Sequence, residues 1–194
     1  MQLGGFVGED AVDLLDRLST NDLSGLSEGN AISTVLTTAK GKILDWLVVG
    51  LCDGELIILT SQGSQHPVMK WIEQYTFVED VTATDTTDVL SQFMVTGDAS
   101  KEILLGAGIQ SPDAQGGILR QEVNGSPLSC WLLPFGTADR YEILLPRSES
   151  SAWWDALVVA GANPMAEDAW EFHRIANGFP VLGAEFGDQT NPLE

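Results

Sequence analysis

The run ILDWLVVGLCDGELIILT (43–60) restricts the chain to few folds. Two strongly apolar stretches flank Asp53-Gly54, and an Asp-Gly pair so placed favours the two-residue turn of a β-hairpin, because both turn residues must take positive φ. Just upstream, NAISTVLTT and the turn at Lys40-Gly41 supply another strand. A second hairpin signal, Asn124-Gly125, separates GGILRQEV from SPLSCWLLPF, and RYEILLP reads as a further strand. Helical periodicity alternates with these strands. Ala11, Leu14, Leu15 and Leu18 fall at i, i+3, i+4, i+7, one apolar face. Pro67 suits the first turn of a helix over 64–75. SESSAWWDALVVAGA reads as a helix with Trp154, Leu157 and Val158 on one face. The pattern strand, Gly, helix occurs at GGFVGEDAVDLLDRL and again at SQFMVTGDASKEILLGAG. This arrangement predicts an α+β fold of two ferredoxin-like units with antiparallel hairpins, over residues 1–88 and 89–194.

Charge narrows the function classes. Nine Lys and Arg face 28 Asp and Glu, a formal net charge of −19, with the acids scattered along the chain. Such a surface disfavours nonspecific binding to nucleic acid or anionic lipid. It suits a halophilic protein, whose self-repulsion is screened by concentrated salt. The apolar runs are of strand length, too short to span a bilayer. The N-terminus has no basic segment followed by an apolar core, so a cytoplasmic location is expected. Cys52 and Cys130 sit in apolar strands and read as buried thiols. With no CxxC and two histidines far apart, no metal site is expected.

Nucleophile and phosphate motifs are absent: there is no GxSxG, Walker loop or GxGxxG. Two places carry more chemistry. Asp45 interrupts an apolar strand beside Trp46, and strand alternation sends the two to opposite faces. Asp45 either points to solvent, with Leu44, Trp46 and Val48 as the core face, or stands at a cavity rim to accept a hydrogen bond from a ligand amine. The second place is the helix over 167–177. Glu171 and Arg174 can pair at i, i+3 on its surface, and Ala169, Phe172, His173 and Ala176 form its packing face. Gly178 suits the left-handed C′ position and Pro180 prevents continuation.

In order and spacing, the segments LSTNDLSGLSEGNAISTVLTTAKGKILDWLVV, FMVTGDASKEIL and RYEILLP…RIANGFPVLGAEFGDQTNPLE resemble the folate-binding family of the glycine-cleavage T-protein (aminomethyltransferase) and its YgfZ-type relatives. The resemblance covers nearly the whole chain. It implies a tetrahydrofolate site lined by the two ferredoxin-like units. It also implies that this chain is the folate-binding portion without the family's C-terminal β-barrel, since the YgfZ-type Lys-Gly-Cys-Tyr motif is missing.

The carry-over of sites is partial. T-proteins have Gly-Gly-x-x-Asp-Asp, with an aspartate beside the reactive nitrogen of folate, where this chain reads Asp45-Trp46. They have Arg-Leu-Glu-Ala-Gly, whose glutamate grips the pterin, where this chain has Arg174-Ile175-Ala176-Asn177-Gly178, similar to the YgfZ version. The implied folate-contacting residues are Asp45, Trp46, Glu171, Arg174 and Glu185, with Asp45 as the catalytic group if the chain is an enzyme. Lys40, Lys42 and Arg174 would steer the anionic folate tail against the acidic surface. These departures favour a tetrahydrofolate-binding accessory protein in iron–sulfur enzyme maintenance. An aminomethyltransferase working with a lipoyl carrier protein, and a scaffold that has lost its ligand, are the alternatives. Iron–sulfur proteins or the lipoyl carrier are the partners that the resemblance implies.

Overall fold

The computed structural model describes residues 2–193. They form two units, residues 1–87 with 181–194, and residues 88–180. Residues 181–194, grouped with the second unit in the sequence reading, belong with the first.

In the first unit the elements run β1 (Gln2–Val7), α1 (Ala11–Leu18), β2 (Asn30–Thr37), β3 (Ile43–Cys52), β4 (Glu55–Thr60), α2 (Gln65–Gln74) and β5 (Thr82–Asp85). Their five strands make one antiparallel sheet in the order β2-β3-β4-β1-β5. Strands β5, β1, β4 and β3 keep the ferredoxin-like order, and β2 is added at the edge beside β3. The β3–β4 turn is the one expected: Asp53 has φ +54° and Gly54 φ +75°. The Glu28 carboxylate accepts the N–H groups of both turn residues and staples the hairpin tip. Leu14 and Leu15 of α1 and Val68 and Ile72 of α2 pack on Leu36, Leu47, Val49 and Ile58 of the sheet.

The second unit repeats the plan: β6 (Leu90–Thr96), α3 (Ser100–Gly106), β7 (Ile118–Val123), β8 (Ser126–Leu132), β9 (Arg140–Pro146) and α4 (Ser150–Val159), followed by α5 (Glu167–Ala176). The sheet order is β6-β9-β8-β7, antiparallel throughout. Position by position it copies the first sheet, β6 standing for β1, β9 for β4, β8 for β3 and β7 for β2, with no described strand standing for β5. Leu104 of α3 and Trp153 and Leu157 of α4 close the core over Val95, Cys130, Tyr141 and Ile143. The inward residues of α4 are therefore Trp153 and Leu157. Trp154 and Val158, expected on its packing face, are 46% and 41% exposed.

Cys52 and Cys130 are free and buried, and burial pushes the Cys130 thiol up to about 12. No described helix is long and apolar enough to cross a membrane.

Candidate functional site

On β3 the burial alternates in the sense opposite to the solvent-facing reading of Asp45. Ile43, Asp45 and Leu47 lie on the face covered by α1 and α2, and Asp45 is 0% exposed opposite Leu36 of β2. Its carboxylate is fully engaged at home. One oxygen accepts the Trp46 N–H at 2.8 Å and the other the Ser61 N–H at 2.9 Å, just past the end of β4. Burial raises its pKa above the ordinary range, opposed by hydrogen bonds from Ser61, Trp46 and Ser64. A carboxylate so held ties β3 to the β4–α2 connection. Trp46 projects to the other face, where its ring meets Phe186 edge-on at 6.4 Å between centroids.

Phe186 belongs to the segment that follows Val181. This segment is fastened to the start of β3 by the Ile43 N–H donating to the Thr190 carbonyl at 3.1 Å and by Lys42 Nζ donating to the Gln189 carbonyl at 2.8 Å. Glu185 turns its carboxylate back on the Val181 N–H at 2.9 Å, closing the loop on itself. Lys42 thus serves the tail as an anchor, whereas Lys40 is exposed.

Helix α5 closes with the expected cap. Gly178 has φ +71°, its N–H donates to the Ile175 carbonyl, and the Phe179 N–H reaches the Arg174 carbonyl at 2.8 Å, the two bonds of a Schellman motif. The faces of α5 differ from the expectation. Phe172 is 78% exposed, with Ala169 and Ala176 also outside, while Arg174 is buried. Arg174 is therefore no surface ion pair and no steering cation. Its Nε and Nη2 grip the two Glu171 oxygens at 2.6 Å each, and Nη1 donates to the Phe179 carbonyl at 3.4 Å. This fork locks the last turn of α5 to the loop beyond it. The expected Glu171–Arg174 pairing is present, with its Arg end inside.

A second charged group lies beneath α5. On β9, Arg140 and Glu142 are both buried and share a face because they are two residues apart. Arg140 bonds Glu142 through Nε at 2.7 Å and Nη2 at 2.6 Å, and Gln92 of β6 donates to the other Glu142 oxygen at 2.9 Å. The guanidinium of Arg140 lies 5.2 Å from the ring centres of both Trp170 and Phe179, an aromatic setting that favours a cation. His173 stacks beside these rings and shares a 3.1 Å hydrogen bond with the Thr96 hydroxyl. The sequence signal for this cluster was available: two opposite charges at i, i+2 in the apolar strand RYEILLP.

The chain matches the GCVT N-terminal domain family over residues 4–194. It belongs to that family. An aminomethyltransferase of Rubrobacter xylanophilus is 27% identical over 97% of this chain and 51% of its own length. One of Chlorobaculum parvum is 28% identical over 96% and 54%. The sarcosine oxidase subunit alpha of a Corynebacterium species is 26% identical over 96% of this chain and 21% of its own. The crystal structure of the glycine cleavage system aminomethyltransferase T from Bartonella henselae superposes with a TM-score of 0.86 at 18% identity, covering 98% of this chain and 52% of that one. This GCVT N-terminal domain thus spans about half the length of the aminomethyltransferases it matches and shares their fold.

Proposed function

We propose that this chain is a tetrahydrofolate-binding protein of the YgfZ type, an accessory to iron–sulfur enzymes that holds folate without transferring a one-carbon unit to it. The observation that carries this reading is the division of β3: the surviving carboxylate, Asp45, is buried and taken up by backbone donors, and the residue facing the other way is Trp46. Stabilising a developing iminium needs a carboxylate aimed at the reacting nitrogen in a water-poor site. An indole offers a stacking surface for a pterin and one N–H donor, which serves binding and not acid chemistry. Ala176, standing where T-proteins carry their pterin-gripping glutamate, points the same way. Arg174 and Glu171 then act by holding the end of α5 in shape, and Glu185 by closing the tail loop on itself.

The chain's half-length match to aminomethyltransferases supports the family and not the reaction, since a sarcosine oxidase subunit carries the same module. The two buried, unlinked cysteines suit a reducing, cytoplasmic setting. The deciding experiment is calorimetric titration of tetrahydrofolate into the chain in about 2 M KCl, where the repulsion between folate's anionic tail and an acidic surface is screened, paired with an assay for aminomethyl transfer from a lipoyl carrier protein. The expected result is one-to-one binding, in roughly the micromolar range set by some −8 kcal/mol, with no transfer. Transfer above background would make the chain an aminomethyltransferase. A folded chain that gives no binding heat would overturn both readings.

A further inference from the structure

We infer that Asn124, at the tip of the β7–β8 hairpin, is a site of spontaneous deamidation, where the chain converts with age to aspartate and isoaspartate. The Gly125 backbone nitrogen, giving up its proton to water, attacks Asn124 Cγ and closes a five-membered succinimide. The carboxamide C–N bond breaks and its nitrogen leaves as ammonia. Water then opens the ring in one of two ways. Cleavage of the new N–Cγ bond gives aspartate, and cleavage of the original peptide bond gives isoaspartate, whose main chain runs through the side chain. Ammonia is released, one water is consumed, and nothing is oxidised or reduced. A neutral side chain thereby becomes a carboxylate.

Ring closure needs an unhindered amide nitrogen whose N–H is not hydrogen-bonded, and a carboxamide free to rotate towards it. These conditions meet at this turn. Asn124 and Gly125 are exposed, and among the described residues neither the Asn124 carboxamide nor the Gly125 N–H has a hydrogen-bond partner. A two-residue turn leaves that N–H outside the ladder, since Val123 pairs directly with Ser126. Gly125 has φ +82°, and no atom lies within 4 Å of where a Cβ would stand, so the approach to its nitrogen is open. Strand β7 is also a sheet edge, paired with β8 alone among the described residues, so this hairpin tip opens locally more readily than an interior one.

Two other pairs of the same chemistry are held shut. Asn177-Gly178 is the same dipeptide at the cap of α5, but there the Gly178 N–H donates to the Ile175 carbonyl at 3.3 Å. The Asn177 carboxamide is fixed at both ends, Oδ1 accepting the Thr137 hydroxyl at 3.0 Å and Nδ2 donating to the His173 carbonyl at 2.9 Å. Ring closure at Asp53-Gly54, which would release water, is opposed by Glu28, whose carboxylate accepts the Gly54 N–H at 3.1 Å, and β3 and β4 each have two neighbours in their sheet. The contrast between Asn124 and Asn177 is therefore one of structure. Its product adds a carboxylate to a chain already at −19. The isoaspartate form also inserts a methylene into the main chain beside Ser126, whose hydroxyl accepts the Trp153 indole N–H at 3.2 Å.

The test is peptide mapping by mass spectrometry of the full 194-residue chain, held for days at neutral pH and sampled over time, both folded and in concentrated guanidinium chloride. Conversion raises the mass of a peptide by about 1 Da, and labelling by an isoaspartate-specific methyltransferase marks the isoaspartate form. In the folded chain Asn124 is expected to convert roughly tenfold faster than Asn177, or more. In denaturant the hydrogen bonds that hold Asn177 are gone, and the two positions are expected to convert within about threefold of each other. Equal rates in the folded chain overturn the inference. So does an Asn124 that stays intact in the folded chain while converting in denaturant, because the turn would then be too rigid for ring closure. A difference that persists undiminished in denaturant also overturns it, since its cause would lie in the flanking residues and not in the fold.

Discussion

Replacing Asp45 by Asn keeps its shape and removes one of the two acceptor oxygens that hold Trp46 N–H and Ser61 N–H. A buried donor left unpaired costs about 2 kcal/mol, so urea denaturation of Asp45→Asn is expected to show a loss of that order. Tetrahydrofolate affinity of the folded variant should change by less than about threefold, well under 1.4 kcal/mol; a loss of binding at unchanged stability would return Asp45 to the ligand. The pH dependence has a definite sign. Burial raises the folded pKa of Asp45 above its ordinary 3.8, so its contribution is full below that value and lost as pH rises through the folded one. Glu79 acts in the opposite sense. The Arg17 guanidinium and the Phe77 and Val78 N–H groups hold it down to about 2, so its contribution is full above the ordinary 4.5 and lost as pH falls through about 2. Glu79→Gln should therefore flatten the acid limb of a stability–pH profile measured between those values. The sequence flagged Asp45 as unusual but left its direction open, because two-residue alternation says which neighbours share a face and not which face a helix covers.

Strands β6 and β9 are joined by Gln92, Glu142 and Arg140 on the face that α5 overlies. Breaking a buried ion pair from one side strands the other charge, at about 3–5 kcal/mol. Glu142→Gln is expected to cost in that range by chemical denaturation, with Arg140 left unpaired beneath Trp170 and Phe179. The α5 loop has a steric requirement as well. Gly136 has φ +97°, and a Cβ there would lie 2.1 Å from the Phe179 ring. Gly136→Ala is expected to displace Phe179 and lower the melting temperature by several degrees, on the scale of about 1–3 kcal/mol for forced strain; an unchanged melt would show that the ring moves aside freely. Helix α5 also marks where sequence reading went astray. Counting apolar residues put Phe172 and Ala176 inside, yet the helix buries Arg174, whose guanidinium finds Glu171 and the Phe179 carbonyl. Helical spacing did show the Glu171 partner, but the Phe179 carbonyl comes from the loop beyond the cap, which helical periodicity does not register.

Across the whole molecule, 28 acidic side chains against nine basic ones must be accommodated on a 194-residue fold. Scattered like charges repel over a Debye length of roughly 10 Å at 0.1 M salt and about 3 Å at 1 M. The melting temperature is therefore expected to rise between about 0.1 M and 2 M KCl, and a flat or falling curve would remove the case for adaptation to salt. Repetition of one plan in two units was legible in the two strand–Gly–helix cycles and the two hairpin signals. Return of residues 181–194 to the first unit was not, because Ile43, Lys42 and Trp46 meet Thr190, Gln189 and Phe186 across more than a hundred intervening residues.

The sequence by itself determined the turns, the order of strands and helices, and the family. Asp53-Gly54 and Asn124-Gly125 take positive φ because a two-residue hairpin turn requires it at both positions, and apolar periodicity is a local property of the chain. Only the tertiary structure decided which way Asp45 and Trp46 point, which face of α5 is buried, and that among the described residues no strand pairs with β6 opposite β9. Each depends on what else arrives at that surface, and burial is settled by the partner and not by the residue.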